Sequence, residues 1–232
     1  MWQLEPPRGE TLPLVSSIHE NQRQQKALSE SLAVPLQFKC PSILLLEIAM
    51  IQNDRWIRQL GARIIEPFEP SLVTQGKISF GVSSFGYDFR LSEEFRFFQP
   101  PGDVLSIDPK DVQERLFETV RSADCLIPPH SFALARSLEF FRIPRNVLGL
   151  CTGKSTYSRC GVLVNITPLE PEWEGHITFP IYNSTPFPVR IYPGEGIAQV
   201  MFLEGATPEV SYADRKGKYQ SQTNVTLAKI QC

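Results

Sequence analysis

Gly161-Val-Leu-Val-Asn-Ile-Thr167 and Gly175-His-Ile-Thr-Phe-Pro-Ile-Tyr-Asn183 are short runs of β-branched and aromatic residues separated by a turn rich in Pro and Glu. Such residues suit a pleated, half-buried surface. The period of two puts Thr178, Pro180 and Tyr182 on one face of the second run and Phe179 and Ile181 on the other. Similar runs occupy 77–82, 95–98, 131–141, 189–192 and 197–203, each bounded by turn residues. That spacing predicts an all-β barrel or a jelly-roll-like sandwich. Short helices are expected near the start of the domain. Asp54-Arg-Trp-Ile-Arg-Gln-Leu60 opens an amphipathic helix, and Val112, Leu116, Phe117 and Val120 recur at helical spacing within 109–121. Residues 1–49 differ: they begin Pro-rich, carry the polar run His19-Glu-Asn-Gln-Arg-Gln-Gln-Lys26 and lack sustained periodicity. They are expected to form a poorly ordered extension, with at most a short helix at 24–32, before a folded domain at 50–232.

The bulk properties narrow the function. A chain of 232 residues that is 42% hydrophobic, 21% charged and of formal net charge -2 has ordinary globular composition. The balanced charge argues against a nucleic-acid partner. The longest apolar run, 43–51, is interrupted by Glu47 and is too short to cross a bilayer. No secretory pattern opens the chain, so a cytoplasmic location is expected, with no membrane partner. Cys40, Cys125, Cys151, Cys160 and Cys232 contain no C-x-x-C pair and read as reduced thiols. His19, His130 and His176 are scattered, so no zinc and no other protein-held metal is expected.

Three segments carry candidate chemistry. Gly149-Leu-Cys-Thr-Gly-Lys-Ser-Thr156 invites a phosphate-loop reading, but three residues rather than four separate its glycines, and strand-like sequence follows soon after. A true Walker motif is excluded. Lys154, Ser155, Thr156 and Arg159 still suit an anion, although a surface turn accounts for them equally. Leu169-Glu-Pro-Glu-Trp-Glu-Gly175 sets three carboxylates around a Trp; Glu170 and Glu174 could activate water, or the turn could simply be solvated. Tyr212-Ala-Asp-Arg-Lys-Gly-Lys-Tyr-Gln220 could close over a phosphorylated ligand, or fray.

Taken together these segments resemble the dCTP deaminase family. The likeness is carried by Gly153-Lys-Ser-Thr-Tyr-Ser-Arg-Cys-Gly161, by Val164-Asn-Ile-Thr-Pro-Leu-Glu-Pro-Glu-Trp-Glu-Gly-His-Ile177 and by Tyr192-Pro-Gly-Glu-Gly-Ile-Ala-Gln-Val-Met-Phe202. Phe85-Gly-Tyr-Asp-Phe-Arg-Leu91, Ile127-Pro-Pro-His-Ser-Phe-Ala-Leu-Ala-Arg136 and Val210-Ser-Tyr-Ala-Asp-Arg-Lys-Gly-Lys-Tyr-Gln220 match as well, so the likeness spans about residues 50–227. It implies a mainly β, distorted dUTPase-like barrel, a homotrimer with sites at subunit interfaces, and hydrolytic deamination of dCTP to dUTP. The expected ligands are nucleotides of the dCTP, dUTP and dTTP type, with Mg²⁺ carried on the triphosphate and no zinc. By the same resemblance Ser155 and Arg159 are catalytic. The substrate-binding set is Lys154, Ser155, Thr156, Arg159, Thr167, Glu170, Trp173, Gln199, Tyr212, Lys218 and Gln222.

The chain departs from the family at two places. The family's general base is a Glu in the strand after the Trp-x-Gly turn, and here Pro180 stands in its place. Proline has no titratable group and no backbone N–H, which predicts an edge strand or a bulge at residue 180. In the tail, Ser221 and Asn224 occupy positions where the family has glycine, so closure of the tail is expected to be harder. Three functions stay open: a deaminase in which Glu170 or Glu174 compensates, a non-catalytic nucleotide-binding or regulatory homologue, and a dUTPase-like pyrophosphatase.

Overall fold

Asn53 caps the first helix by accepting the Trp56 N–H, and α1 (Asp54–Leu60) follows, burying Ile57, as the amphipathic pattern predicts. The computed structural model describes residues 51–230; the expectations for residues 1–49 lie outside the described residues. The strands are β1 (Ile65–Glu66), β2 (Gly81–Ser83), β3 (Gly86–Phe98), β4 (Phe117–Arg121), β5 (Cys125–Ile127), β6 (Phe132–Arg142) and β7 (Val147–Gly153). A one-turn helix, α2 (Ser155–Ser158), precedes β8 (Val162–Val164), β9 (Glu174–Asn183), β10 (Val189–Ile191) and β11 (Gly196–Glu204). The main sheet runs β7-β11-β3-β6-β9-β8, with β1 added on β6 and β2 and β4 added on β3; β5 and β10 pair separately. Gly149 and Leu169 exchange backbone hydrogen bonds of 2.9 and 2.8 Å. They join β7 to the segment after β8, so the sheet is a nearly closed barrel.

Alternation fills the barrel. Phe89, Leu91 and Phe95 from β3, Ala133 and Ala135 from β6, Phe179 and Ile181 from β9, and Val200 and Phe202 from β11 are fully buried. Phe89 meets Phe141 and Phe179 edge-on at 5.7 and 5.8 Å, contacts worth about 0.5–1.5 kcal/mol each beyond their burial. Thr178, Pro180 and Tyr182 lie on the opposite face of β9, as the period of two predicts.

One expectation is corrected, and one is met only locally. The helix at 109–121 is only a 3-10 turn, Glu114–Leu116, followed by β4. Phe117 at the start of β4 packs against Phe98 and Phe132 at 5.7 and 6.2 Å; pairing with β3 outweighs the helical spacing. Pro180 needs no bulge, and the edge it was expected to occupy is a local one, because β9 is an inner strand left open on one side at residue 180. β9 lies between β6 and β8, and its register irregularity falls between Arg136 and Phe140 of β6, away from the proline.

Alternation of hydrogen-bonding direction explains how the sheet tolerates the missing N–H. The Asn183 N–H donates to Ser131 O on the β6 side, and the Ser184 N–H donates to Gly161 O on the β8 side. Residues 179 and 181 therefore address β6, while 178, 180 and 182 address β8. β8 ends at Val164 opposite Ile181, one residue short of a partner for Pro180. The proline nitrogen faces a gap, and no ladder bond to β6 is lost.

Candidate active site

The gap beside β9 is the floor of a pocket of about 580 Å³. On its far side the gap is closed by the C-terminal tail: the Ser221 N–H donates to Glu174 O, and the His176 N–H to Gln222 O, both 2.9 Å. The pocket therefore opens between the end of β8 and the tail, over Thr178 and Pro180. Thr167, Glu170, Trp173, Tyr212, Lys218 and Gln222 line it, so six of the expected substrate-binding residues are gathered around the proline. Phe98, Phe117, Phe132 and Leu134 add an apolar wall.

Each carboxylate of the acidic turn is engaged. Glu170, the one carboxylate lining this pocket among the described residues, is paired with Arg215. Glu172 binds Arg145 at 2.6 Å, and Glu174 Oε1 accepts the Ser221 hydroxyl at 3.2 Å. Arg145 also binds Asp214 at 2.8 Å; the Ser211 N–H together with this guanidinium holds the Asp214 carboxyl down to about 2. These pairs fix the loop that presents Tyr212, whose hydroxyl accepts the Tyr219 N–H at 2.9 Å. Gly217 permits that arrangement, because a Cβ there would fall 2.1 Å from the Tyr212 ring. Ser221 sits at φ +55°, the left-handed conformation that its glycine counterpart would adopt freely, and the tail is nevertheless in place over the pocket.

Lys154, Ser155, Thr156, Arg159 and Gln199 do not line the pocket of their own chain. Ser155, Thr156 and Arg159 are exposed around α2, with the Arg159 guanidinium donating to Ser155 O at 3.1 Å. Lys154 Nζ lies 2.5 Å from Asp88 Oδ2 and 2.8 Å from the Ser79 hydroxyl, and Gln199 Nε2 donates to Asp88 Oδ1 at 2.9 Å. Sequence reasoning missed Asp88, which couples those two residues, and Arg215, which holds Glu170. No local spacing announces either one, since both partners come from distant elements. The apolar wall was hidden for a similar reason: Phe117 was assigned to a helix. Among the described residues no group of three His, Cys, Asp or Glu side chains is placed to hold a metal ion. None of their helices is long and apolar enough to cross a membrane.

The sequence profile of the dCTP deaminase-like family matches residues 51–205, most of the domain just described. The chain belongs to that family. A dCTP deaminase of Acidobacterium capsulatum is 53% identical over 182 residues, covering 78% of this chain and 99% of the relative. One from Azotobacter vinelandii is 55% identical over 186 residues, covering 77% and 98%. The crystal structure of 2'-deoxycytidine 5'-triphosphate deaminase from Agrobacterium tumefaciens has a TM-score of 0.51 at 16% identity, covering 67% of this chain and 48% of that one, a likeness of fold. The dCTP deaminase-like domain of this chain is mainly β with a nearly closed barrel, as the motifs implied.

Proposed function

We propose that the protein binds a pyrimidine deoxynucleoside triphosphate of the dCTP class and lacks the proton-transfer group that the family reaction needs. The observation that carries this reading is Pro180 in the pocket floor, with Glu170, the one carboxylate lining that pocket among the described residues, already paired to Arg215. Deamination of dCTP adds water at C4 of the ring and expels ammonia. A carboxylate that takes the proton from water and delivers it to the ring and the leaving group contributes roughly 10²- to 10⁴-fold. Proline contributes none of this.

Binding needs no such group. Thr167, Glu170, Trp173, Tyr212, Lys218 and Gln222 would hold the base, sugar and near phosphates. Lys154, Ser155, Thr156, Arg159 and Gln199 would reach the triphosphate from a neighbouring copy, which is the reason for proposing a homotrimer with shared sites. The exposure of α2 away from its own pocket supports that division. Mg²⁺ would arrive on the phosphates, supplying charge neutralisation there, while Lys154 and Arg159 offer charge-assisted donors to the remaining oxygens.

The test follows ammonia and pyrophosphate separately from dCTP and dUTP, with calorimetry of dCTP, dUTP and dTTP binding. Saturable binding without ammonia release is expected. Absence of triphosphate binding would sink the reading. Deamination at a rate that Pro180→Glu does not improve would transfer the base role to Glu170, with Arg215 swinging aside. Pyrophosphate release from dUTP would select the pyrophosphatase alternative.

A further inference from the structure

Beyond Gln222 the tail turns inward, and two side chains of the barrel take up its amide hydrogens. The Val225 N–H donates to Glu94 Oε1 at 3.0 Å, and the Thr226 N–H donates to the Thr178 hydroxyl at 3.2 Å. Val225 is buried, and the residues just after it, Leu227 and Ala228, form part of the pocket wall. The segment is also tied to itself: Lys218 Nζ donates to Lys229 O at 2.6 Å, and the Lys229 N–H donates to the Tyr219 hydroxyl at 3.2 Å. Fixing Val225 therefore fixes the whole strap over the pocket.

Glu94 comes from β3, and its carboxylate is almost fully buried. Its other oxygen faces Arg136 at 3.3 Å and Arg121 at 3.6 Å. A buried carboxylate must be paired, and this one divides its two oxygens between the arginines and the tail. Arg136 has a second outlet, donating to Ser137 O at 3.2 Å, and Arg121 is largely exposed. The Val225 N–H is buried and has this one acceptor, so the hydrogen bond from Val225 depends on Glu94 more than the arginines do.

We propose that Glu94 is a positioning residue that latches the C-terminal strap: it acts through the Val225 amide to hold Leu227 and Ala228 against the pocket. Its consequence for ligand retention rests on the proposed nucleotide reading of that pocket. The strap closes by a backbone hydrogen bond to the Glu94 oxygen that the arginines leave free, so it depends on the reach of the side chain to Val225.

Two conservative variants separate those roles. Glu94→Asp keeps the charge beside Arg136 and shortens the reach to Val225; Glu94→Gln keeps the reach and loses the ion pair. Hydrogen exchange on the full chain without nucleotide is expected to be about tenfold faster at residues 225–228 in Glu94→Asp, with exchange in β9 unchanged. Glu94→Gln is expected to stay within about threefold of the unmodified protein there. The reverse order, equal rates in both variants, or faster exchange throughout β9 and the tail together would overturn the latch and leave an ordinary structural ion pair. Should Glu94→Asp not fold, Thr178→Val, which removes the neighbouring anchor, must still leave Val225 protected while Thr226 exchanges faster; loss of both would overturn the latch. Dissociation of dCTP, followed by stopped flow, is expected to be about tenfold faster in Glu94→Asp. Faster exchange with unchanged dissociation would overturn the part played in holding nucleotide while keeping closure of the strap.

Discussion

Pro180 occupies a position at which chemistry and sheet geometry can be separated by substitution. Its nitrogen faces the gap between β8 and the tail, so Pro180→Ala restores an N–H that has no strand to bond. Alanine is expected to lower stability by about 0.5–1 kcal/mol, through the greater freedom of the unfolded chain, and to leave ammonia release unchanged. Pro180→Glu places a carboxylate on the face shared with Thr178, over the pocket, and is expected to raise ammonia release from dCTP by about 10²-fold or more. Urea titrations and an ammonia assay on the two variants check both halves. If alanine proves stabilising, the N–H has found a partner; if glutamate folds and binds dCTP without releasing ammonia, the site lacks more than its base. The identity of residue 180 could be read from sequence because a motif fixes the register around it. The direction of its nitrogen could not, because that depends on where β8 stops.

At the scale of the element, the tail shows how a local rule is overridden. Ser221 adopts φ +55° with its N–H on Glu174 O and its hydroxyl on Glu174 Oε1, and these bonds offset a backbone cost of about 1–2 kcal/mol. Ser221→Gly is expected to keep the tail closed and to stabilise closure by about 1 kcal/mol, measured as slower limited proteolysis after Lys216 or Lys218. Faster cleavage would mean that the hydroxyl contact matters more than the strain. The long strands β6, β9 and β11 were largely legible from alternation and turn residues, whereas β3 was legible only at its end, 95–98. β7 was not, because Gly149 and Gly153 dilute its pattern; a Cβ at Gly149 would lie 3.0 Å from the Leu169 Cβ, a tight approach. The lining of the candidate site was legible where one segment carries several of its residues, as at 167–173 and 212–222. It was not legible where Asp88 or Glu94 enters from β3, since pairs that distant in sequence leave no local signal.

Two properties belong to the whole molecule. The first is the division of the site between copies that the proposed function requires. Arg159→Ala is expected to weaken dCTP binding about ten- to a hundredfold while leaving the mass of the assembly by light scattering unchanged, because the side chain is exposed and makes only a local contact. A variant that dissociates would make Arg159 an assembly residue instead. The second is the response to pH. Burial, with Arg136 nearby, holds the His176 ring below its ordinary value of 6.5, and its Nδ1 lies 3.1 and 3.0 Å from the carbonyl oxygens of Ser137 and Glu139. Below pH 6.5 the unfolded chain takes up the proton before the folded one, so this contribution is present at neutral pH and is lost as the pH falls through the folded value. Melting temperatures at pH 7.5 and 5 should therefore fall less in His176→Asn than in the unmodified protein; parallel curves would exclude His176 as the source. The gap beside β9 bears on the molecule in one more way. A strand edge left open between two covering segments is a template onto which a foreign chain can add. Pro180 offers no N–H at the middle of that edge, so the residue that withholds the carboxylate also blunts self-association whenever the tail lifts, and Pro180→Glu should regain chemistry in a protein more prone to aggregate.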